Sequence, residues 1–375
     1  MNRVDLKKIL KLILTKPTAP YHEQLVIAEI EKFVEAEGLK VQTDTFGNRI
    51  VIYKPKGRAK KGRIGFVAHT DHPGFEITSV NGKKAEAVWR GGVWKEFFTK
   101  AKVEVQTSNG SVKGVVSKTV SVKGMPKRVE TMSLKMDQPV EVGNFGQWDV
   151  TQYKHQGQLI VTRAADDLIS VVSMLALIKE LKKENIRHEV WFIFSRAEET
   201  GFVGSIAMMD KKTIPEDLPL ISLETSKQLL PGGEQGKGPV IRLGDWMTAY
   251  SSDLLLYMDT TARKYQAENK KFGFQRRVMD GGTCEASLFV ANGYTAAGIA
   301  FPLGNYHNMG DEPDEKGKPA LRAETVHMRD LQDGVTLMLE ICRNLSEYPK
   351  TLGNLQKRLR DHGRKEYRFL KENLI

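Results

Sequence analysis

Seven residues of this sequence could together do metal chemistry: His69 and Asp71 in FVAHTD, Asp166 in AADD, Glu198 and Glu199 in RAEET, Glu224 in ISLE, and His307 in GNYH. A hydrolytic dinuclear site needs a carboxylate able to bridge two cations, terminal histidine and carboxylate ligands, and another carboxylate held off the metals. These residues supply that set. Asp166 is assigned as the bridge, with His69 and Glu224 on one ion and Glu199 and His307 on the other. Glu198 is then the general base that takes a proton from the metal-bound water and passes it to the leaving amine. Asp71 lies two residues beyond His69, on the same face of an extended chain, and can accept the second imidazole N–H.

Each residue alone has a plainer reading. Adjacent glutamates commonly sit at a solvated helix start, where carboxylates favour the dipole. Asp166-Asp167 reads equally as an N-terminal helix cap, Glu224 as a strand-end turn residue, and His307 as a loop histidine. Their joint occurrence, in order, at consecutive strand ends favours the metal site. Open α/β sheets place their ligands and chemistry at those ends. His72 could join the site, but Pro73 beside it suggests a turn; His22, His155, His188, His327 and His362 show no partner in sequence.

The elements that must carry these residues are legible in the periodicity. Leu6, Ile9, Leu10, Ile13 and Leu14 recur at helical spacing between lysines, which predicts an amphipathic first helix rather than a signal peptide. A second helix follows over 21–37, then two extended runs around Gly47-Asn48 and a short buried strand over 62–69. From Pro73 to about Gly157 the chain turns into short extended runs (FEITSV, KAEAVW, AKVEVQT, VKGVVS, RVETMSL and PVEVG), an all-β insert. From Asp166 helices and strands alternate: helix 168–182, strand 189–195, helix 201–210, strand 218–224, strand 239–244, helices near 252–268 and 284–292, strand 294–302, and a last long helix over about 324–345. The fold class is α/β, with a mixed, largely parallel sheet flanked by helices. The expected division is a catalytic domain over 1–73 and 158–375, with an inserted β-barrel-like dimerisation or substrate-access domain over 74–157.

The 375 residues, 40% hydrophobic and 27% charged, have the composition of a soluble globular protein, with no apolar run long enough to cross a membrane. Two cysteines, Cys284 and Cys342, form no Cys-x-x-Cys pair, so neither a disulfide framework nor a thiolate zinc site is expected, and a cytoplasmic location fits. The net charge of +11 is concentrated in 53–63 and in the tail 350–371, without the interleaved aromatics of a base-stacking surface. Neither a nucleic-acid nor a membrane partner is expected.

At APYHEQLVIAEI, TFGNRIVI, AHTDHPGFEI, AADDLISVV, RAEETGFVGS, ISLETS, DGGTCEASLF and FPLGNYHNMG, the chain resembles the tetrahedral aminopeptidases, a metallopeptidase family that includes glutamyl and deblocking aminopeptidases and some members with a cellulase name. The family's pattern carries over to His69, Asp71, Asp166, Glu198, Glu199, Glu224 and His307. The resemblance implies two zinc or cobalt ions, peptides with a free N-terminus as substrate, and a homo-oligomer built from dimers, often a hollow dodecamer. Related dinuclear carboxypeptidases and deacylases share the ligand order but usually insert their extra domain after the third ligand; here the β segment lies between His69 and Asp166. Departures from the pattern fall at His72, Leu168, Glu224 and Cys284-Glu285. They bear on substrate preference and leave a catalytically impaired metal-binding homologue as another reading.

Overall fold

Four near-continuous apolar runs, RIGFVAH, EVWFIFS, LISLETSK and AAGIAFPLG, are what parallel strands covered on both faces require. In the computed structural model, which describes residues 3–372, they form the centre of one sheet. Glu189–Ser195 runs parallel to Arg63–His69, Arg63–His69 to Leu220–Lys227, and Leu220–Lys227 to Ala296–Gly304. Val41–Thr43 and Arg49–Tyr53 extend one edge as an antiparallel pair, turning through Gly47 at φ 84°. Glu324–His327, Leu159–Thr162 and Tyr153–Gln156 extend the other, while Val240–Gly244 and Gln275–Val278 branch from Ala296–Gly304.

Successive side chains on a strand face opposite ways, so the sheet sorts its own residues into two cores. Phe66, Ala68, Phe192, Phe194, Ile221 and Leu223 pack on the side covered by helices Arg3–Leu14, Gln24–Ala36, Leu168–Lys183, Ser252–Glu268 and Met328–Arg343. Val67, Ile193 and Leu220 face the other side, against Met208 of Val203–Asp210 and Phe289 of Glu285–Ala291. Leu168–Lys183 is apolar nearly all round because it is buried nearly all round, including Ser170 and Ser173.

The β segment closes into a barrel in the order Gly74–Asn81, Lys84–Arg90, Met125–Met136, Gly110–Val122, Lys102–Thr107 and Phe145–Trp148. Its core centres on Trp89 and Trp148, stacked 4.5 Å apart, with Phe75 and Phe98 beside them. Gly146 allows the closest approach: a Cβ there would lie 2.3 Å from the Phe75 ring. Closure falls to Phe145–Trp148 rather than to PVEVG, and Tyr153–Gln156 pairs within the larger sheet.

The C-terminal part differs from the sequence expectation. Glu324–His327 is a strand paired with Leu159–Thr162 and Ala296–Gly304, since β-branched Thr325 and Val326 suit a pleated sheet. The helix begins at Met328, where the His327 side chain caps it by accepting the Arg329 N–H. Beyond it, the charged tail is itself helical over Tyr348–Lys365 and Tyr367–Glu372, with no buried residue in either helix. No helix of the described residues is long and apolar enough to cross a membrane.

Candidate metal centre

The parallel register fixes where the chemistry gathers. His69 ends its strand in pairing with Ser195, so the chain leaving Ser195 delivers Glu198 and Glu199 beside it. Glu224 lies within Leu220–Lys227, which runs on past the strand end expected at 224; it pairs with Ala300 just beyond Ser222, where pairing with Arg63–His69 stops. Asp166 follows Leu159–Thr162; His307 follows Ala296–Gly304 in a single tight turn. All of the metal ligands expected from the sequence, together with Glu198, line one pocket.

These turns take unfavourable backbone conformations. Ala197 (φ 51°), Asn305 (57°), His307 (53°) and Asn308 (61°) are all left-handed without being glycine, at a cost of roughly 1–3 kcal/mol each. Buried carboxylates hold them. The Asp71 carboxylate accepts the Glu198 N–H at 3.0 Å and the Glu199 N–H at 3.1 Å. Glu324 accepts the N–H groups of Ala165 (2.7 Å), Asp166 (3.0 Å) and His307 (2.8 Å), and Glu23 accepts that of Ala197 at 3.0 Å. Sequence reasoning missed Glu324 and Glu23, because a glutamate at an element boundary looks like surface charge until its backbone partners are known.

Asp166 directs one carboxylate oxygen to each side. Its Oδ1 is 3.3 Å from His69 Nε2 and its Oδ2 is 3.3 Å from His307 Nε2. Glu224 Oε1 lies 3.7 Å from His69 Nε2, and Glu199 Oε1 lies 3.1 Å from His307 Nε2. Two groups therefore share Asp166: His69, Asp166 and Glu224, and Asp166, Glu199 and His307, each with ligand atoms within 4.8 Å of one another. Glu198 Oε2 stands at 3.9 Å from His69 Nε2 and also falls within a group with His69 and Glu199.

Both imidazoles present Nε2 to the carboxylates because Nδ1 is occupied elsewhere. His307 Nδ1–H donates to the Gly92 carbonyl at 3.1 Å, so a barrel loop orients this imidazole. His69 Nδ1–H donates to the Asp71 backbone carbonyl at 3.2 Å, while the Asp71 carboxylate is 3.5 Å away. Asp71 thus orients His69 mainly through its main chain, and its carboxylate serves the two glutamates.

The donors fit divalent cations. Asp166 Oδ1 and Glu199 Oε1 are buried without a hydrogen-bond partner, although imidazole nitrogens lie within 3.3 Å. Each of these oxygens lies as close to the imidazole nitrogen it faces as two ligands of one ion lie to each other. Four carboxylates in one pocket also require positive charge. Burial and the neighbouring Asp166 push Glu224 up to about 8. Burial likewise raises Glu198 well above the usual carboxylate range against the pull of His69, whereas at Asp166 the two imidazoles overcome burial and hold the carboxyl low. His69 and His307 are raised well above 6.5 by the surrounding carboxylates, despite burial.

These shifts have a consequence for the metal-free protein. Glu224 and both histidines bind protons more tightly folded than unfolded: the Glu224 contribution is complete below 4.5 and is lost as pH rises through about 8, and that of the histidines is complete below 6.5 and is lost only as pH rises through their raised folded values. Asp166 has the opposite sign, but acts only below its unfolded value of 3.8. Chelator-treated protein is therefore expected to melt at a lower temperature at about pH 8.5 than at about pH 6, with added divalent metal removing the difference. A metal-free melting temperature that rises across that interval would contradict this account of the pocket.

Residues 47–312 match the M42 glutamyl aminopeptidase family. The chain belongs to that family. It is a metal-dependent aminopeptidase, and so a peptide hydrolase. A protein of Acetivibrio thermocellus with an aminopeptidase name is 24% identical over 341 residues, covering 85% of this chain and 92% of its own. Among solved structures, a TET aminopeptidase from the marine sediment archaeon Thaumarchaeota archaeon SCGC AB-539-E09 superposes with a TM-score of 0.75 at 20% identity, over 92% of this chain and 98% of that one. The TET1 peptidase of Pyrococcus horikoshii, described as assembling into a tetrahedron or a large octahedral shell, gives 0.72 at 23% identity, over 90% and 99%. These likenesses establish the shared fold.

The departures of this aminopeptidase from the family pattern sit behind the pocket, apart from Glu224, which keeps a carboxylate there. Leu168 is in the core. His72 contacts the Asp166 carbonyl at 2.6 Å and Asn308 Oδ1 at 3.1 Å. Cys284 Sγ faces the Tyr250 hydroxyl at 3.1 Å, and Glu285 accepts from Ser205. None of these four lines the pocket. His22, without a partner in sequence terms, pairs with Glu76 of the barrel at 2.9 Å.

Proposed function

We propose that this aminopeptidase binds two divalent ions, zinc or cobalt, and removes N-terminal residues from peptides. His69 and Glu224 would hold one ion, Glu199 and His307 the other, and Asp166 would bridge them. The single observation that carries the reading is the Asp166 carboxylate, whose two oxygens face two imidazoles at equal 3.3 Å distances. Bound ions would supply Lewis acidity to the scissile carbonyl and a water that ionises near neutral pH.

The chain's own groups account for the remainder. Glu198, kept at the pocket edge by Asp71's hold on its backbone, takes the water proton and delivers it to the departing amine. The raised carboxyl range that burial gives Glu198 suits a group that must both accept and donate near neutral pH. A barrel inserted between His69 and Asp166 supports the aminopeptidase reading over the carboxypeptidase and deacylase one. By likeness to the Pyrococcus peptidase's assemblies, the protein is proposed to be a dimer-based homo-oligomer acting in the cytoplasm, with a dodecamer as the assembly to test for.

The test combines a metal count with a peptide panel. Zinc- or cobalt-loaded protein is expected to release the first residue from free peptides and to leave their N-acetylated counterparts intact. Cleavage confined to the blocked peptides would instead favour the deacylase reading, and inactivity on the whole panel a homologue that has lost turnover.

A further inference from the structure

Tyr306 lines the pocket and has no task in the ligand set. It immediately precedes His307, and its ring lies on the imidazole with centroids 3.7 Å apart and planes 23° from parallel. The stack fixes the phenol over a ligand whose Nε2 faces Asp166 and Glu199. The hydroxyl end reaches across the pocket, 3.8 Å from where a side chain on Gly282 would begin. Arg242 anchors that facing loop by donating to the Gly282 carbonyl at 3.1 Å and to the Ser226 hydroxyl at 2.9 Å. Glycine at 281 and 282 leaves the space in front of the phenol open, and both glycines and Tyr306 line the same pocket as the proposed ligands.

A phenol is an O–H donor at neutral pH. No described residue accepts a hydrogen bond from the Tyr306 hydroxyl. A donor held rigidly by stacking, open to the pocket and free of protein partners, is the arrangement that stabilises charge developing on a substrate oxygen. Glu198 cannot serve in this way, because its role is to receive a proton.

We propose that Tyr306 is a catalytic residue that donates its phenolic hydrogen bond to the scissile carbonyl oxygen as that oxygen becomes an alkoxide. When the water oxygen bonds to the carbonyl carbon, the carbon–oxygen π pair moves onto the carbonyl oxygen, and the Tyr306 O–H meets the new charge without giving up its proton. Collapse of the tetrahedral species returns the pair, breaks the C–N bond and sends the proton held by Glu198 to the amine. This inference rests on the aminopeptidase reading above.

Tyr306→Phe keeps the stack on His307 and removes only the hydroxyl. With the fully metal-loaded oligomer, kcat on a free-N-terminus peptide is expected to fall about 10²-fold with KM changed less than about threefold. Binding of a phosphinic pseudopeptide, whose tetrahedral phosphorus mimics the reacting carbon, should weaken by a similar factor. Metal content and melting temperature should match wild type. A kcat within about threefold of wild type and unchanged phosphinate affinity would overturn the role. A rise in KM alone, or an altered residue preference, would also overturn it, making Tyr306 a contact for the substrate side chain. If wild type neither cleaves free peptides nor binds the phosphinate, the aminopeptidase reading fails and takes this role with it; if wild type does both and the variant matches it, Tyr306 alone is dismissed.

Discussion

Glu198→Gln is expected to lower kcat by about 10³–10⁴-fold while leaving the bound metal unchanged. The amide is nearly isosteric with the carboxylate, so the turn over Glu198–Thr200 and the Asp71 hydrogen bonds to the Glu198 and Glu199 backbone are kept. What is lost is a basic atom at the pocket edge, 3.9 Å from His69 Nε2. Because the proposed ligands are other residues, elemental analysis of the variant should still return two ions per chain. KM should move little, since Glu198 acts on the water and the leaving group. A variant retaining more than about a tenth of wild-type kcat would remove Glu198 from the role of general base.

Asp166→Asn should damage a different property, metal occupancy. An amide offers one weakly ligating oxygen where the carboxylate offers two, one toward each imidazole. The expected result is loss of at least one of two ions per chain after dialysis, with peptide turnover down about 10³-fold or more. The chain should stay folded, because Glu324 holds the Asp166 and Ala165 backbone through N–H groups that the substitution does not touch. Replacement also removes a negative charge from beside Glu224, which burial and Asp166 together push up to about 8. Two tightly held ions in this variant would show that Asp166 does not bridge. Set beside Glu198→Gln, the pair separates the site from the chemistry: one variant keeps metal without turnover, the other loses the metal itself.

Residue type and order made the centre legible. His69, Asp166, Glu198, Glu199, Glu224 and His307 could be named because apolar runs announce strands, and strand ends are where an α/β sheet exposes polar groups. The β barrel was legible for a similar reason, since short alternating runs divided by turn residues have few other folded solutions. Periodicity is weaker where a segment is short or its environment unusual. Glu324–His327 resembled a helix start because the strand is only four residues long and the helix beginning at Met328 follows it directly. The tail over 348–365 was read as charge alone, although its leucines have helical spacing; with no buried residue, nothing but local preference marks it.

The sequence by itself determined the inventory of this protein: an α/β sheet with a barrel insert, and two histidines and four carboxylates in an order suited to two ions. Tertiary structure alone decided how those groups are aimed. That Gly92 of the barrel takes the His307 Nδ1–H, that Asp71 holds two glutamate backbones, and that Glu324 ties Asp166 to His307 depend on contacts between residues 17 to 215 positions apart. The physical reason is that a hydrogen bond is fixed by distance and direction in space. Local spacing reports which face of an element a residue occupies, and not which distant backbone group its carboxylate will meet.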